Sequence, residues 1–181
     1  MNLWLRMIRV VLRALLGQRL APLDTSRVYF RVWPHDLDIN LHMNNGRYLT
    51  LMDLGRLDLM LRTGMGRVIF QEKWMPVVAT AMVRFKRSLL PFQFFRLESR
   101  VICWDEKWFY LEQKLLRGDR EVAHAIMKGC IRRSGGVVPP AEIFERVLGE
   151  AVESPAMPDS IRHWQDSEES LRGGYEGEGN D

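Results

Sequence analysis

The sequence predicts an α+β domain in which one long helix lies against an antiparallel sheet of five to six strands, and three observations predict it. A single alternating stretch near residue 30 is followed by residues 45–62 with helical periodicity. From residue 74 to residue 133 the pattern changes to alternation punctuated by tight turns. Between the first strand and the helix lies WPHDLDINLHMNNGRY (33–48), which packs Asp36, Asp38, Asn40, His42, Asn44 and Asn45 into ten residues. No other segment concentrates so much acid–base and hydrogen-bonding capacity beside a predicted helix start.

Taken in order, residues 1–16 (MNLWLRMIRVVLRALL) read as an amphipathic helix, with Arg6, Arg9 and Arg13 on one narrow face. The arginines interrupt the apolar run, which argues against a membrane-spanning helix. No A-x-A cleavage site follows, which argues against a cleaved signal peptide. Two placements fit: the headgroup layer of an anionic membrane, or packing on its own domain or dimer partner. Residues 26–33 alternate Val28, Phe30 and Val32 against Tyr29, Arg31 and Trp33, as a first strand does, and Pro34 stops regular pairing. The Asn44-Asn45 pair can cap a helix that carries Leu49, Met52, Leu57, Met60 and Leu61 and closes near Gly64 and Gly66.

Beyond Trp74, Val77, Ala79, Ala81, Val83 and Phe85 are expected on one strand face as far as Pro91. Phe95, Leu97, Val101 and Cys103 define the next strand, Phe109, Leu111 and Leu115 another, and residues 120–133 a last long one. Gly135-Gly136 breaks it, and Pro139-Pro140 opens a short helix over 141–148. The expected organisation is a helix within 1–20, a domain over 26–150, an extension with a short helix over 151–172, and a disordered tail over 173–181.

Composition narrows the function classes. Of the 181 residues, 46% are hydrophobic, enough for a core, and 27% charged, which excludes a membrane-embedded or collagen-like chain. The net charge of +3 hides an asymmetry: residues 1–149 hold 24 basic and 14 acidic residues, whereas 150–181 hold two arginines and nine acids. A basic body suits coenzyme A, carrier-protein phosphopantetheine, anionic lipid or nucleic acid. Nucleic acid is disfavoured, because the basic residues are dispersed and no Gly-rich phosphate loop or RNP-like aromatic pattern occurs. Cys103 and Cys130 lie inside predicted strands without a CxxC or a Cys/His cluster, as expected of buried thiols in a reducing compartment. No cofactor or metal is expected. The predicted location is cytoplasmic, with peripheral membrane contact through residues 1–16 under the first of the two placements of that helix.

The motif D-L-D-x-N-x-H-M-N-N-x-x-Y, from Asp36 to Tyr48, resembles the DLD-x-N-x-H-V-N-N of acyl-carrier-protein thioesterases and the Asp loop of 4-hydroxybenzoyl-CoA-type thioesterases. The chain is most similar to the hotdog-fold branch that contains thioesterase superfamily member six. In that branch HMNN-x-RYL, a later W-D-x-x-x-FYLE strand and a C-terminal Pro-x-x-Ile/Leu-x-x-W segment recur, here at 42–49, 103–112 and 158–164. The resemblance implies a hotdog fold, with a long central helix wrapped by a curved antiparallel sheet. It also implies edge-to-edge pairing into a homodimer or dimer of dimers, and hydrolysis of a fatty acyl-CoA or acyl-carrier-protein thioester.

Thioester hydrolysis needs a group to activate water and donors for the developing oxyanion. Asp38 matches the family's catalytic aspartate, as nucleophile or general base, with a pKa that burial at a dimer interface could raise. Asn40 and His42 match residues that orient substrate, water or the acid, and an extended loop would point all three to one side. The N–H of Asn45 or Gly46, at the positive end of the helix, is the candidate oxyanion donor. Asn44, Tyr48, Arg84 and Arg87 are candidate substrate contacts, the arginines for coenzyme A phosphates. For Asp36 a loop-capping role is expected, for Asp53 and Arg56 a helix-surface pair, and for His124 a packed or edge position.

The 85–89 stretch, FKRSL, departs from the carrier-protein enzymes, which carry an acid and a cysteine there. Ser88 and Phe92-Gln93 stand where many relatives have Pro and Gly-Asp. These departures keep open a non-catalytic acyl-binding or membrane-associated scaffold. A hydratase is disfavoured, since those enzymes place His five residues after Asp with a Pro between, and here the step from Asp38 to His42 is four.

Overall fold

The computed structural model describes residues 3–177, with side-chain surroundings to residue 170. The elements run α1 (Leu3–Leu16), β1 (Ser26–Arg31), a 3₁₀ turn (Pro34–Asp36), α2 (Asn45–Thr63), α3 (Met65–Gln71), β2 (Met75–Phe85), β3 (Phe94–Trp104), β4 (Phe109–Arg117), β5 (Arg120–Arg133), β6 (Gly136–Val138), α4 (Pro140–Leu148) and α5 (Asp159–Gly177). The sheet is antiparallel in the order β1-β3-β4-β5-β2, with β6 added to β5. Edges therefore fall at β1 and β2.

Helix α2 lies on one sheet face because Tyr48, Leu51, Met52 and Leu59 recur at helical spacing and are all buried. The approach is close at Gly55: a Cβ there would stand 2.6 Å from Leu97 Cδ2 and 2.7 Å from Ser99 Oγ on β3. A polar group trapped beneath the helix, Gln113, is fully paired. The Gln113 amide on β4 donates to Met52 O (2.9 Å) and Ser99 Oγ (2.8 Å) and accepts from Arg56 Nη1 (2.8 Å). Cys103 and Cys130 are free and buried in β3 and β5, and burial, with the nearby Asp105 charge, pushes the Cys103 thiol up to about 11.

The structure departs from expectation at several element ends. Gly64 closes α2 in the left-handed region (φ 86°), but the chain restarts at once as α3, burying Met65 and Ile69 beside Trp74 and Phe144. Two glycines in the periodicity conceal that second helix. β1 ends at Arg31 rather than Trp33. In β2 the register with β5 shifts between Val78 and Thr80, so the single face expected for Val77, Ala79, Ala81, Val83 and Phe85 is broken at Ala79. β6 follows Gly135 (φ 93°) and was not legible as a strand. α5 continues to Gly177, beyond the short helix expected before residue 172; the remainder of the tail, 178–181, lies outside the described residues. Its Ile161 and Trp164 pack on Cys103, Tyr110 and Trp108, on the sheet face away from α2.

α1 packs on its own domain, against α2 and the edge strand β1, through Arg6, Val10 and Ala14. The three arginines do not act together. Arg6 is buried and donates to the edge carbonyl Arg31 O (3.1 Å), whereas Arg9 and Arg13 are exposed, with Arg13 over the Tyr29 ring (5.8 Å). α1 thus braces the outer side of β1 at Tyr29 and Arg31. No helix among the described residues is long and apolar enough to cross a membrane.

Candidate functional site

The polar motif folds as a tight hairpin that leads into α2. The Asn44 N–H donates to Asp36 O (2.8 Å), Leu37 bridges Met43, the Asp38 N–H donates to His42 O (2.9 Å), and the Leu41 N–H closes the turn on Asp38 O (3.1 Å). Leu41 takes a left-handed conformation there (φ 58°), unfavourable for a side chain of its size. Met43 anchors the hairpin: it is buried and its N–H donates to Leu89 O (2.8 Å). Alternation then sets Asp38 and His42 on the opposite face, where Asp38 Oδ2 stands 3.4 Å from His42 Nδ1 and both side chains are half-buried.

Because the loop turns instead of extending, Asn40 does not share that face. Its backbone N–H donates to Asp38 Oδ1 (2.8 Å), an Asx turn, and its side chain is exposed at the tip. The tip also exposes two apolar side chains, Ile39 (97%) and Leu41. The structure thus brings Asp38 and His42 together and leaves Asn40 outside the pair.

At the start of α2, Asn44 is the N-cap, its Oδ1 accepting from the Gly46 N–H (2.8 Å). That engages the Gly46 N–H and corrects its assignment as an oxyanion donor. The Asn45 N–H has no acceptor among the described residues and stands exposed at the positive end of the helix. Asn44→Ala should lower stability by about 1 kcal/mol, read as a melting temperature about 2–4 °C lower, and should release the Gly46 N–H.

The remaining candidates are dispersed. Tyr48 is buried with its ring edge-on to Phe85 (5.2 Å), and burial pushes its hydroxyl up against the opposing effect of a hydrogen bond to the Leu89 backbone; it is a core residue, not an open contact. Arg84 is exposed on β2, opposite His124, on the face alternate to Phe85 and so away from α2. Arg87 is exposed just past β2, two residues before Leu89. His124 meets Glu112 (3.0 Å) on the sheet, and Asp53 pairs with Arg56.

Asp36 carries more than the expected cap. It accepts the Trp33 N–H (2.9 Å), as a capping residue would, but it is also fully buried (0% exposed) in a clamp. Arg6, itself 2% exposed, donates Nη1 to Oδ1 (3.0 Å) and Nη2 to Oδ2 (2.5 Å), and Arg47 Nε approaches Oδ1 at 3.2 Å. Burial pushes the carboxyl up; the Arg6 hydrogen bonds and charge, with the Trp33 N–H, outweigh it and hold the pKa below the ordinary aspartate value. Sequence spacing gives no signal for an ion pair across thirty residues.

A second feature not visible in sequence is an apolar cavity of about 270 Å³ between α2 and the sheet, lined by Met60, Met65, Val77, Val101, Phe109 and Ile131. The Asp53–Arg56 pair borders it, and Pro76, Val77 and Val78 of edge strand β2 form part of its wall. The hairpin lies at the other end of β2, through the Tyr48–Phe85 and Met43–Leu89 contacts. Among the described residues no group of His, Cys, Asp and Glu is placed to hold a metal ion.

Comparison with known proteins agrees with this architecture. The thioesterase-like superfamily matches residues 32–165. Protein THEM6 of Xenopus laevis is 32% identical over 133 residues, 74% of this chain and 63% of that protein. Protein THEM6 of Danio rerio is 34% identical over 140 residues, 76% of this chain and 67% of that protein. The chain thus spans slightly less than two thirds of the Xenopus relative. Among solved structures, a thioesterase from Thermus thermophilus complexed with coenzyme A and Zn superposes with a TM-score of 0.59 at 23% identity, covering 70% of this chain and 98% of that one. That likeness is one of fold.

Proposed function

The chain belongs to the thioesterase-like superfamily, in its THEM6-like branch with the hotdog fold, and from that premise we propose that it hydrolyses an acyl-CoA or acyl-carrier-protein thioester at the 36–44 hairpin. The observation that carries the reading is the Asp38–His42 pair standing directly before a helix whose first N–H, on Asn45, is open. Asp38 removes a proton from water, or attacks directly, while His42 orients it. Oxygen adds to the thioester carbon, the carbonyl oxygen takes up negative charge against the Asn45 N–H and the helix dipole, and collapse breaks the C–S bond. In the general-base route the departing thiolate takes up the proton that Asp38 removed from water, and the carboxylate is regenerated; in the direct route the thiolate leaves an acyl-aspartyl anhydride, which water cleaves to the free acid and Asp38.

The acyl chain would lie in the apolar cavity of a second copy. Edge strand β2 has a partner only on its β5 side among the described residues, is eleven residues long, and exposes Met75, Val78 and Met82; such an edge favours pairing. Antiparallel pairing of two β2 strands would bring the Phe85 end of one copy, with its hairpin and the apolar tip residues Ile39 and Leu41, beside the cavity of the other. Val78→Asp/Met82→Asp is expected to give a monomer by light scattering and to remove turnover; a dimer unchanged by both charges would reject this edge as the interface.

The test of function is release of free thiol from medium-chain, long-chain and aryl acyl-CoAs, followed by acyl-carrier-protein thioesters. Turnover is expected on at least one. No turnover on any would favour a second reading, an acyl-binding scaffold, for which one observation speaks: the 85–89 segment beside the hairpin presents Lys86, Arg87 and Ser88 and no carboxylate to assist Asp38.

A further inference from the structure

α1 has two apolar faces, and its own domain uses only one. At about 100° per residue, Trp4, Leu5, Ile8, Leu12, Leu15 and Leu16 fall within an arc of about 120°, and all six side chains are exposed, Leu16 by 87%. Arg9 and Arg13 border the arc on one side, and the buried Arg6–Val10–Ala14 stripe lies beyond them. A helix that only covered the β1 edge would need apolar residues on that stripe and polar ones outward.

The exposed arc does not stand alone. Past Leu16 a surface groove runs between the α1–β1 linker and α3, bordered by Arg19 and Arg67 and reaching Phe70, which is 86% exposed. On the β1 side, Arg31 lies over the rings of Trp33 (5.4 Å), Phe92 (5.3 Å) and Phe94 (5.0 Å), and Phe92 and Phe94 are exposed. Residues 1–23 contain four arginines and no acidic residue. An exposed apolar arc bordered by Arg9 and Arg13, on a helix without a carboxylate, matches the chemistry of an anionic bilayer surface; the first acid, Asp24, lies in the linker and accepts the Ala21 N–H (2.9 Å).

We infer that α1 lies in the headgroup layer of an anionic membrane by this outward face while its inner face holds it to the domain, making the protein peripherally attached as a folded unit. The exposed α1 arc lies on the helix packed beside α2 and β1, and β2 is the opposite edge of the sheet. The inference does not depend on turnover, since it rests on residues outside the hairpin.

The experiment is sedimentation of the full chain with phosphatidylcholine vesicles, with and without phosphatidylglycerol. Binding is expected only with the anionic lipid. Arg9→Glu/Arg13→Glu should weaken it on the order of tenfold or more, and Leu5→Glu/Leu12→Glu should abolish it. Both variants alter exposed side chains, so an unchanged melting temperature confirms that each remains folded. Wild-type protein that stays in the supernatant would overturn the inference, as would Leu5→Glu/Leu12→Glu protein that still sediments. If wild type stays soluble but forms oligomers that Leu5→Glu/Leu12→Glu dissolves, the face instead joins copies of this chain, and the membrane inference is again rejected.

Discussion

Asp38→Ala is expected to lower thiol release from the best acyl substrate by about 10²–10⁴-fold, the usual contribution of a positioned acid–base group, with little change in folding. The side chain is half-buried and makes two local contacts, with the Asn40 N–H and His42. The hairpin itself is held by backbone bonds and by Met43, so it survives loss of the carboxylate. Asp38→Asn sharpens the test. It keeps an oxygen that can accept from the Asn40 N–H but removes the charge, so turnover should fall nearly as far as with Ala. His42→Ala, by removing an orienting group, should cost less than either. Single-turnover rates on purified, light-scattering-verified dimers would check all three. Activity unchanged in Asp38→Ala would assign the motif to structure and move the chemistry elsewhere.

The parts of this site that sequence disclosed are those encoded locally. Asp38 and His42 are four residues apart, and Asn44 carries the side chain a helix N-cap requires, so spacing alone brings them together. The shape of the loop was less legible: alternation along an extended chain placed Asn40 with Asp38, whereas the Leu41 turn rotates it away. The cavity, the free β2 edge and the Arg6–Asp36 clamp depend on contacts between residues far apart in the chain, for which a single sequence carries no spacing signal. The same holds for the fold. α2 and the long strands follow from periodicity, while α3 and β6 are short elements beside glycines, where propensity argues for a break and packing against Trp74, Phe144 and β5 decides otherwise. The amphipathic reading of α1 captured its arginines, but the burial of Arg6 reflects a partner thirty residues away.

That clamp underlies the second large effect. Arg6→Ala should destabilise the protein by about 3–5 kcal/mol, the cost of leaving a buried carboxylate with its main partner removed, read as a melting temperature lower by roughly 10 °C. Arg47 at 3.2 Å and the Trp33 N–H remain but approach only from their own sides. Arg6→Lys should recover a minor part, because an ammonium cannot serve both carboxylate oxygens and Arg31 O as the guanidinium does. The pH dependence follows from the lowered Asp36 pKa. A carboxylate whose folded pKa lies below its unfolded value of about 3.9 contributes its full stability above that pH and loses it as pH falls through the folded value. The gap in melting temperature between wild type and Asp36→Asn should therefore be constant at neutral pH, begin to narrow below about pH 4, and close as pH falls through the lower folded value, where wild-type Asp36 becomes neutral as well. Asp36 also accepts the Asn44 N–H through its backbone oxygen, so loosening the clamp frees the base of the hairpin, and Arg6→Ala should lose turnover even where it is still folded. Equal melting temperatures for wild type and Arg6→Ala at pH 7 would mean that α1 does not brace the site, and that Arg47 and the Trp33 N–H suffice to hold Asp36.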